Sequence, residues 1–291
     1  MKVLVTGASG LLGSRVCEVF AAQWEVTGTY HTRPVPGLVE CSLGSSNGVS
    51  RLVRQGGYGL VVHCAAVRSP DACEDDPRHA MEVNAHGTEL IARAAGDARA
   101  QMAYASTDYV FPGDAPPYNE EGRPAPINVY GHSKLAGEKH ALSVPGALVV
   151  RMPALYSLDL SAPNNLLAAL RESLAAGEPV RADDAAIRYY TLAEEVAAAF
   201  AFLISAGRRG VVHVSAPEPC TKLRFFRAVA RALGLDEDLV VPAEGGKPRV
   251  KRPHDSHLDA ALYESLGGAP LTPWSEALER LASAPRAGRT S

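Results

Sequence analysis

The chain has 291 residues, which is room for one large domain or two modest ones. Apolar residues make up 46% and charged residues 21%, a balance that permits a sizeable core. The net charge of −3 gives no field that favours nucleic acid or an anionic membrane. Apolar stretches such as Leu60–Val67 are too short to span a bilayer. We therefore expect neither a nucleic-acid nor a membrane partner.

The five cysteines are odd in number, and no two have Cys-x-x-Cys spacing. The cysteines therefore indicate neither a zinc site nor a disulfide framework. His254 and His257 lack carboxylate partners at metal-ligand spacing, so we expect no metal. A glycine-rich loop interrupts the apolar start, which argues against a signal peptide. The thiols then read as buried or incidental groups in a reducing cytoplasm.

Apolar runs of strand length alternate with segments of helical periodicity through the first half of the chain. Strands are predicted at Lys2–Thr6, Glu25–Tyr30, Leu60–Ala65, Gln101–Ser106 and Ala147–Met152. Helices are predicted between them at Leu11–Ala22, Arg78–Ala95 and Val129–Leu142. The alternation, with strands apolar on both faces, is typical of a doubly wound parallel α/β sheet that helices cover on both sides.

After Arg151 the pattern loosens into what we interpret as a smaller, loop-rich lobe. Helices are predicted at Asn164–Ala176, Leu192–Ile204 and Lys222–Leu233, and a strand at Gly210–Val214. We expect residues 1–152 to bind a dinucleotide and 153–283 to form mainly a substrate-binding lobe, with some segments returning to the sheet. The tail 284–291 has little to bury and is expected to be disordered.

Three glycines lie at three-residue spacing between the first strand and the first helix, in the loop Gly7-Ala-Ser9-Gly10-Leu11-Leu12-Gly13. Gly7 permits a sharp turn, Gly10 permits close approach of a pyrophosphate, and Gly13 permits close contact between helix and sheet. The helix that starts near Leu11 points its first amides at the phosphates. A tight turn without a ligand is the alternative, but the strand–loop–helix context favours a dinucleotide site.

The end of the second strand should decide between NAD and NADP. An acidic residue there would bind the ribose hydroxyls and repel a 2′-phosphate, but the sequence reads Gly28-Thr-Tyr-His31-Thr-Arg33. His31 and Arg33 offer hydrogen-bond donors, which favours NADP, with NAD still open. A solvated surface charge is the alternative for Arg33.

Tyr130 and Lys134 are four residues apart and so share one face of the predicted helix Val129–Leu142. An ammonium group near a phenol stabilises the phenolate, and a hydride arriving at a carbonyl carbon requires a proton on the oxygen. Tyr130 is our candidate for that proton donor. The spacing alone is weak because many surface helices contain it by chance.

Ser106 and Thr107 follow the fourth predicted strand and strengthen this interpretation. Ligands of open α/β sheets bind at the carboxyl ends of strands, where Thr107 is placed to donate a hydrogen bond to a substrate carbonyl. Ordinary turn chemistry is the alternative. The glycine loop, the strand-end hydroxyls and the Tyr/Lys helix occur in the order expected of a ketone reductase.

The combination of these motifs resembles the extended short-chain dehydrogenase/reductases and, within them, the dTDP-4-dehydrorhamnose reductase family. It comprises Thr6-Gly-x-x-Gly-x-x-Gly13, Ser106-Thr-Asp-Tyr-Val-Phe111, Tyr130-Gly-x-Ser-Lys-Leu-x-Gly-Glu138 and Arg252-Pro-x-x-Ser-x-Leu-Asp259, over about residues 1–280. The resemblance implies a Rossmann-type fold with a C-terminal substrate lobe. It also implies NAD(P)H-dependent reduction of a 4-keto group on a nucleotide-linked deoxysugar, by a monomer or a homodimer.

By this resemblance the catalytic residues are Thr107, Tyr130 and Lys134, with Lys134 lowering the phenol pKa and holding the nicotinamide ribose. The match at Cys64-Ala65-Ala66 adds these three residues to the cofactor site, and Asp108 and Tyr109 are assigned to substrate. The sequence departs from the family at three positions: Ser42 replaces an acidic residue, His63 an asparagine and Ala154 a tryptophan. The departures concern the choice of sugar more than the redox centre.

A second resemblance joins Ala65-Ala-Val-Arg-Ser-Pro-Asp-Ala-Cys-Glu74 with Arg151-Met-Pro-Ala-Leu-Tyr156. These segments are similar to the regulatory β subunit of methionine adenosyltransferase, which belongs to the same superfamily, binds NADP and acts as a partner. A non-catalytic binding role is therefore an alternative.

Several charged residues have two interpretations each. Arg68 and Asp71 are placed to reach a substrate pyrophosphate or sugar, or to form a surface ion pair of small energetic worth. Arg252 is a candidate phosphate ligand, because a guanidinium binds phosphate in a bidentate manner, or part of a solvated loop. The acidic stretch Pro70–Pro77 most simply reads as a solvent face.

Overall fold

The computed structural model describes residues 1–32, 34–44, 46–243 and 249–283. The strands are β1 (Lys2–Thr6), β2 (Glu25–Tyr30), β3 (Val39–Glu40), β4 (Leu60–His63), β5 (Gln101–Ala105), β6 (Leu148–Arg151), β7 (Leu155–Tyr156), β8 (Val180–Ala182), β9 (Ile187–Arg188), β10 (Thr191–Leu192), β11 (Gly210–His213), β12 (Cys220–Thr221) and β13 (Val240–Pro242). The α-helices are α1 (Leu11–Ala21), α2 (Ser46–Gly56), α3 (Pro70–Asp75), α4 (Pro77–Met81), α5 (Gly87–Asp97), α6 (Val129–Leu142), α7 (Leu166–Ala175), α8 (Ala193–Ser205), α9 (Lys222–Leu233), α10 (Ala261–Ser265) and α11 (Trp274–Ser283).

Seven strands form one parallel sheet in the order β11-β6-β5-β4-β1-β2-β3. Side chains alternate across β1: Val3 and Val5 join the core beneath α1 and α8, and Leu4 joins the core beneath α2 and α5. Both faces are buried, which explains why the strands are continuously apolar rather than alternating. The predicted doubly wound α/β fold is confirmed.

The second half of the chain contributes to this sheet and also builds a core of its own. β11 pairs with β6 at one edge of the sheet, and α8 packs against α1. A separate apolar cluster gathers side chains of α7, α9 and α11, with Phe225 stacked on Tyr190 at 3.8 Å between ring centroids. The division of labour at residue 152 stays a prediction, and the tail 284–291 lies outside the described residues.

Two predicted elements differ from what the structure shows. The predicted helix Arg78–Ala95 is divided into α4, a π-helical turn at Glu82–His86, and α5. No helix was predicted within the acidic stretch Pro70–Pro77, but Pro70–Asp75 forms α3, which Ser69 caps by accepting a bond from the Ala72 amide at 3.3 Å. The stretch lies at the surface, with Cys73 its one buried residue. A six-residue helix is too short to show a 3.6-residue period in the sequence.

Candidate active site

A cleft of about 680 Å³ opens at the carboxyl ends of β1, β4 and β5. It is lined by most of the predicted site residues: Gly7, Ser9, Gly10, Leu11, Leu12, Gly13, His31, Cys64, Ala65, Ala66, Arg68, Thr107, Asp108, Tyr109, Tyr130 and Lys134. Arg252 is not among the residues that line it, and Arg33 lies outside the described part of the chain. The fold thus brings the glycine loop and the Thr/Tyr/Lys set to one cavity.

The glycine loop has a shape that side chains would prevent. Gly7 has φ +71°, and a Cβ there would lie 2.7 Å from the backbone of Ala65. A Cβ on Gly13 would lie 2.7 Å from the Gly7 carbonyl carbon and closer still to its oxygen. Gly10 precedes α1 in extended conformation and makes no side-chain cap. The first amides of α1 therefore face a space in which a pyrophosphate fits.

The wall at the end of β2 is polar. His31 is exposed and lines the cleft with Ser42 and Gly44. A carboxylate that the sequence reasoning missed also lies here: Glu82, from the π-helical turn, has Oε1 3.5 Å from where a Cβ of Gly44 would be. Glu82 is 40 positions along the chain from Ser42, so no local pattern could reveal it.

Thr107 and Tyr130 meet above the end of β5. Thr107 is 5% exposed and caps a short 3₁₀ turn, accepting a bond from the Tyr109 amide at 3.2 Å. The Tyr130 ring packs edge-on against Tyr109 with centroids 5.7 Å apart. Burial raises the pKa of Tyr130, and a hydrogen bond with Thr107 opposes the rise. The phenol thus keeps its proton at neutral pH, the state required of a proton donor.

Lys134 is buried at the base of the cleft. Its Nζ donates to the carbonyl oxygen of Ala105 at 2.7 Å and lies 4.1 Å from the centroid of the Tyr104 ring. Burial lowers the pKa of Lys134 to about 7, and the negative charge of Glu138 partly opposes this fall. The expected lowering of the Tyr130 pKa by Lys134 is absent, because desolvation dominates both groups and the ammonium is directed at the Ala105 carbonyl.

His63 is a structural group beneath the cleft. Its ring nitrogens lie 2.5 Å from Thr6 Oγ1 and 3.1 Å from Thr88 Oγ1, and the side chain is fully buried. Burial, assisted by the charge of Lys134, lowers the pKa of His63 to about 3. A neutral imidazole accordingly joins β1, β4 and α5 without entering the cleft.

A buried ion pair holds α6 against the sheet. Arg151 donates to both carboxylate oxygens of Glu138, at 2.9 and 2.8 Å, and Ser106 donates to Glu138 at 2.5 Å. The side chains of Arg151 and Glu138 are 5% and 2% exposed. Since Glu138 lies one helical turn after Lys134, the pair fixes the helix that carries the candidate catalytic residues.

Arg188 is a cleft residue that the sequence reasoning missed. It is 8% exposed, donates to the Pro253 carbonyl at 3.0 Å and to the Tyr109 hydroxyl at 3.3 Å, and lines the cleft. Its guanidinium brings a permanent positive charge to the substrate side. It lies in the two-residue strand β9, where no periodicity marks a functional position.

The carboxylates of α3 have partners, and the two ion pairs among them lie at the surface. Asp71 pairs with Arg252 at 2.5 Å, Asp75 pairs with Arg249, and Glu74 Oε1 accepts from the Val129 amide at 2.9 Å at the start of α6. The surface-ion-pair interpretation holds for Asp71, but its partner is Arg252 rather than Arg68. The phosphate contact of Arg252 stays a prediction; in the structure its guanidinium pairs with Asp71.

Across the described residues, no group of three or more histidine, cysteine, aspartate or glutamate side chains is arranged to hold a metal ion. Within the same ranges, no helix has the length and apolarity that crossing a membrane requires.

Comparison with known proteins assigns the chain to a family. A family model described as the RmlD substrate binding domain matches residues 1–286. The chain belongs to this family. The resemblance to dTDP-4-dehydrorhamnose reductases drawn from the sequence motifs is confirmed, and it extends over nearly the whole chain.

Members and relatives of the family carry two kinds of name. The chain is 34% identical to methionine adenosyltransferase 2 subunit beta of Danio rerio, over 95% of this chain and 88% of the relative. It is 33% identical to a probable low-salt glycan biosynthesis reductase of Haloferax volcanii, over 91% of each. Among solved structures, dTDP-4-dehydrorhamnose reductase of Bacillus anthracis in complex with NADP superimposes with a TM-score of 0.86 at 26% identity, covering 96% of this chain and 98% of that one.

Proposed function

We propose that the protein reduces a keto group, at C4, on a nucleotide-linked deoxysugar with NADPH as the favoured reductant. The observation that carries the proposal is the meeting of Thr107, Tyr130 and Lys134 in the same cleft as the glycine loop. Family membership and the names of two relatives, a dTDP-4-dehydrorhamnose reductase and a probable glycan biosynthesis reductase, support the same reaction class.

The residues present fit a nicotinamide dinucleotide. Gly7 and Gly13 let the loop pack tightly against Ala65 and against itself, and Gly10 brings no side chain to the cleft that it lines. The uncapped start of α1 offers amides to a pyrophosphate. His31 on the adenosine side supports NADP over NAD, and the relative from Bacillus anthracis was solved with NADP. When bound, the reduced nicotinamide supplies the hydride.

The chain's own residues supply the proton and the orientation. Tyr130 holds a proton on its phenol oxygen and delivers it to the sugar oxygen as negative charge develops there. Lys134 lines the cleft, where its Nζ donates to the Ala105 carbonyl and would hold the nicotinamide ribose of a bound cofactor. Thr107 is 5% exposed and lines the cleft with Tyr130, where its hydroxyl is placed beside the reacting sugar oxygen.

The substrate side of the cleft suits an anionic sugar nucleotide. Arg188 and Arg68 both line it, and Arg68 also donates to the Asn164 carbonyl at 3.5 Å. Two guanidinium groups offer the donors that a diphosphate requires. Arg188 belongs to the 153–283 lobe, and we assign that lobe to the sugar nucleotide on the basis of its position in the cleft.

The proposal is tested by oxidation of NADPH with a panel of dTDP-, GDP- and UDP-linked 4-keto sugars. The wild-type protein should consume NADPH with at least one of them. Tyr130→Phe should lose turnover by more than a hundredfold, because the proton donor is gone, while its affinity for NADPH stays within about twofold. Tyr58→Phe, a buried tyrosine of the sheet cover, is the matched control and should keep its activity. Retained turnover in Tyr130→Phe would refute the assignment.

A second function is favoured by a separate observation, the 34% identity to methionine adenosyltransferase 2 subunit beta over nearly the whole chain. In this alternative the cleft binds NADP without turnover, and the protein is a regulatory subunit. It predicts no NADPH consumption with any sugar of the panel and a stable complex with a methionine adenosyltransferase, measured by size-exclusion chromatography. Turnover by the wild-type protein without such a complex would exclude it.

A further inference from the structure

The buried carboxylate of Asp108 links the cleft to the C-terminal part of the chain. Asp108 is 3% exposed; its Oδ1 accepts from Thr107 Oγ1 at 3.1 Å, and its Oδ2 accepts from Ser256 Oγ. Both hydroxyls donate to the carboxylate. One buried group therefore joins a candidate catalytic side chain to a residue far along the sequence.

Ser256 is itself held firmly and so serves as an anchor. It is 2% exposed, and the residues on either side of it bond to the main chain of the sheet domain. The Asp255 amide donates to the Gly113 carbonyl at 3.2 Å, and the His257 carbonyl accepts from the Tyr118 amide at 2.8 Å. The Ser256 hydroxyl consequently reaches Asp108 from a fixed backbone.

The bridge determines how Thr107 faces the cleft. A hydroxyl has a single proton, and that of Thr107 is directed to Asp108. Its oxygen then accepts from the Tyr109 amide. Thr107 and Tyr130 line the same cleft, so the bridge fixes the orientation of a hydroxyl in the cleft that holds the candidate proton donor.

We propose that Asp108 and Ser256 are positioning residues: the Asp108 carboxylate, anchored by Ser256, fixes the orientation of the Thr107 hydroxyl in the cleft that it shares with Tyr130. The catalytic meaning of this arrangement rests on the proposed reductase function. The sugar contact predicted for Asp108 stays a prediction, because Asp108 lines the cleft and each of its carboxylate oxygens has a second lone pair. The bridge also makes the 253–259 segment a part of the reaction centre, although that segment does not line the cleft.

The kinetic test removes the anchor and asks whether the effect passes through Thr107. Ser256→Ala should lower kcat about tenfold, the effect of losing one charge-assisted hydrogen bond, with KM and the NADPH affinity within about twofold. Ser256→Thr, which keeps a hydroxyl, should recover most of the loss. Ser215→Ala is the matched control: Ser215 is 5% exposed and bonds to the Ala216 carbonyl at 3.1 Å, away from the bridge, so kcat should not change.

The decisive step combines Ser256→Ala with Thr107→Val. If Ser256 acts through Thr107, adding Ser256→Ala to Thr107→Val causes no further loss of kcat. Losses that multiply, as those of independent residues do, would overturn the proposal, as would an unchanged kcat in Ser256→Ala alone. Should Ser256→Ala not fold, Asp108→Asn takes its place, because its amide cannot accept from both hydroxyls.

The same pair of substitutions separates failure of this inference from failure of the proposed function. Absence of wild-type turnover on the sugar panel refutes the reductase alone. The bridge is then tested by urea unfolding of the two single variants and the double variant. The change in the unfolding equilibrium constant of the double variant should be at least threefold smaller than the product of the changes in the two single variants. Additive effects in unfolding would overturn the bridge, whatever the activity.

Discussion

Replacing Lys134 with Met should make the protein more stable at acid and neutral pH while removing its proposed activity. The ammonium of Lys134 is 3% exposed, and burial lowers its pKa from 10.5 to about 7. At 1.36 kcal/mol for each pKa unit, keeping the charged form inside the fold costs up to about 5 kcal/mol. The bond to Ala105 and the contact with the Tyr104 ring recover a part of this cost. Methionine fills a similar volume without a charge.

The sign of the pH dependence follows from the direction of the shift. Between pH 7 and 10.5 the unfolded chain binds the Lys134 proton and the folded chain does not, so this group's contribution to stability rises with pH. From pH 6 to 8.5 the wild-type unfolding free energy should therefore gain about 2 kcal/mol relative to Lys134→Met. The advantage of the variant should be largest at pH 6 and should shrink toward pH 8.5.

Urea unfolding, followed by tryptophan fluorescence at several pH values, measures this difference. His63 and His213, whose pKa values burial lowers to about 3, destabilise the fold as pH falls below 6.5, but they do so in both proteins and cancel in the comparison. Lys139→Met is the matched control, because Lys139 lies exposed on the same helix and its replacement should give a difference that pH does not change. A Lys134→Met difference that is equally flat would refute the reasoning.

Two further substitutions test other parts of the site. His31→Asp places a carboxylate at the end of β2, where it should repel a 2′-phosphate. The ratio of NADPH affinity to NADH affinity, measured by fluorescence titration, should fall by at least tenfold. An unchanged ratio would show that the end of β2 does not discriminate between the two cofactors. Glu138→Gln leaves the buried guanidinium of Arg151 without its charge partner and should cost about 3–5 kcal/mol in urea unfolding. Glu89→Gln, which breaks an exposed pair with Arg93, should cost less than about 1 kcal/mol, and equal losses would contradict the assigned importance of burial.

The sheet could be predicted from the sequence because its strands are buried on both faces. β1 and β2 were predicted with the bounds that the structure shows, and β4, β5 and β6 within two residues. α6 and α9 were also predicted with their observed bounds. α2 was missed because Ser46–Gly56 buries only two side chains, Val49 and Val53, and contains two glycines. Its helical form depends on packing against α5, which a local pattern does not carry.

The candidate site could likewise be predicted only in part. Short motifs with fixed spacing, such as Tyr130 and Lys134, were sufficient to nominate the reaction centre. What surrounds them was hidden, because the Glu138–Arg151 pair and the Asp108–Ser256 bridge join residues from separate elements. The low pKa of Lys134 was equally out of reach, since it results from burial that only the assembled fold creates.

The contact of Glu74 with the Val129 amide has a consequence for how the molecule opens. The short helix α3 contacts two parts of the chain. Glu74 bonds to the start of α6, and Asp71 and Asp75 form ion pairs with the C-terminal segment. The amide proton of Val129 is therefore protected from exchange by Glu74 only while α3 stays docked, and the ion pairs with Arg249 and Arg252 help to hold α3 there. Local unfolding of α3 or of the C-terminal segment that pairs with it should therefore expose the start of α6, the helix that carries Tyr130, in one cooperative event.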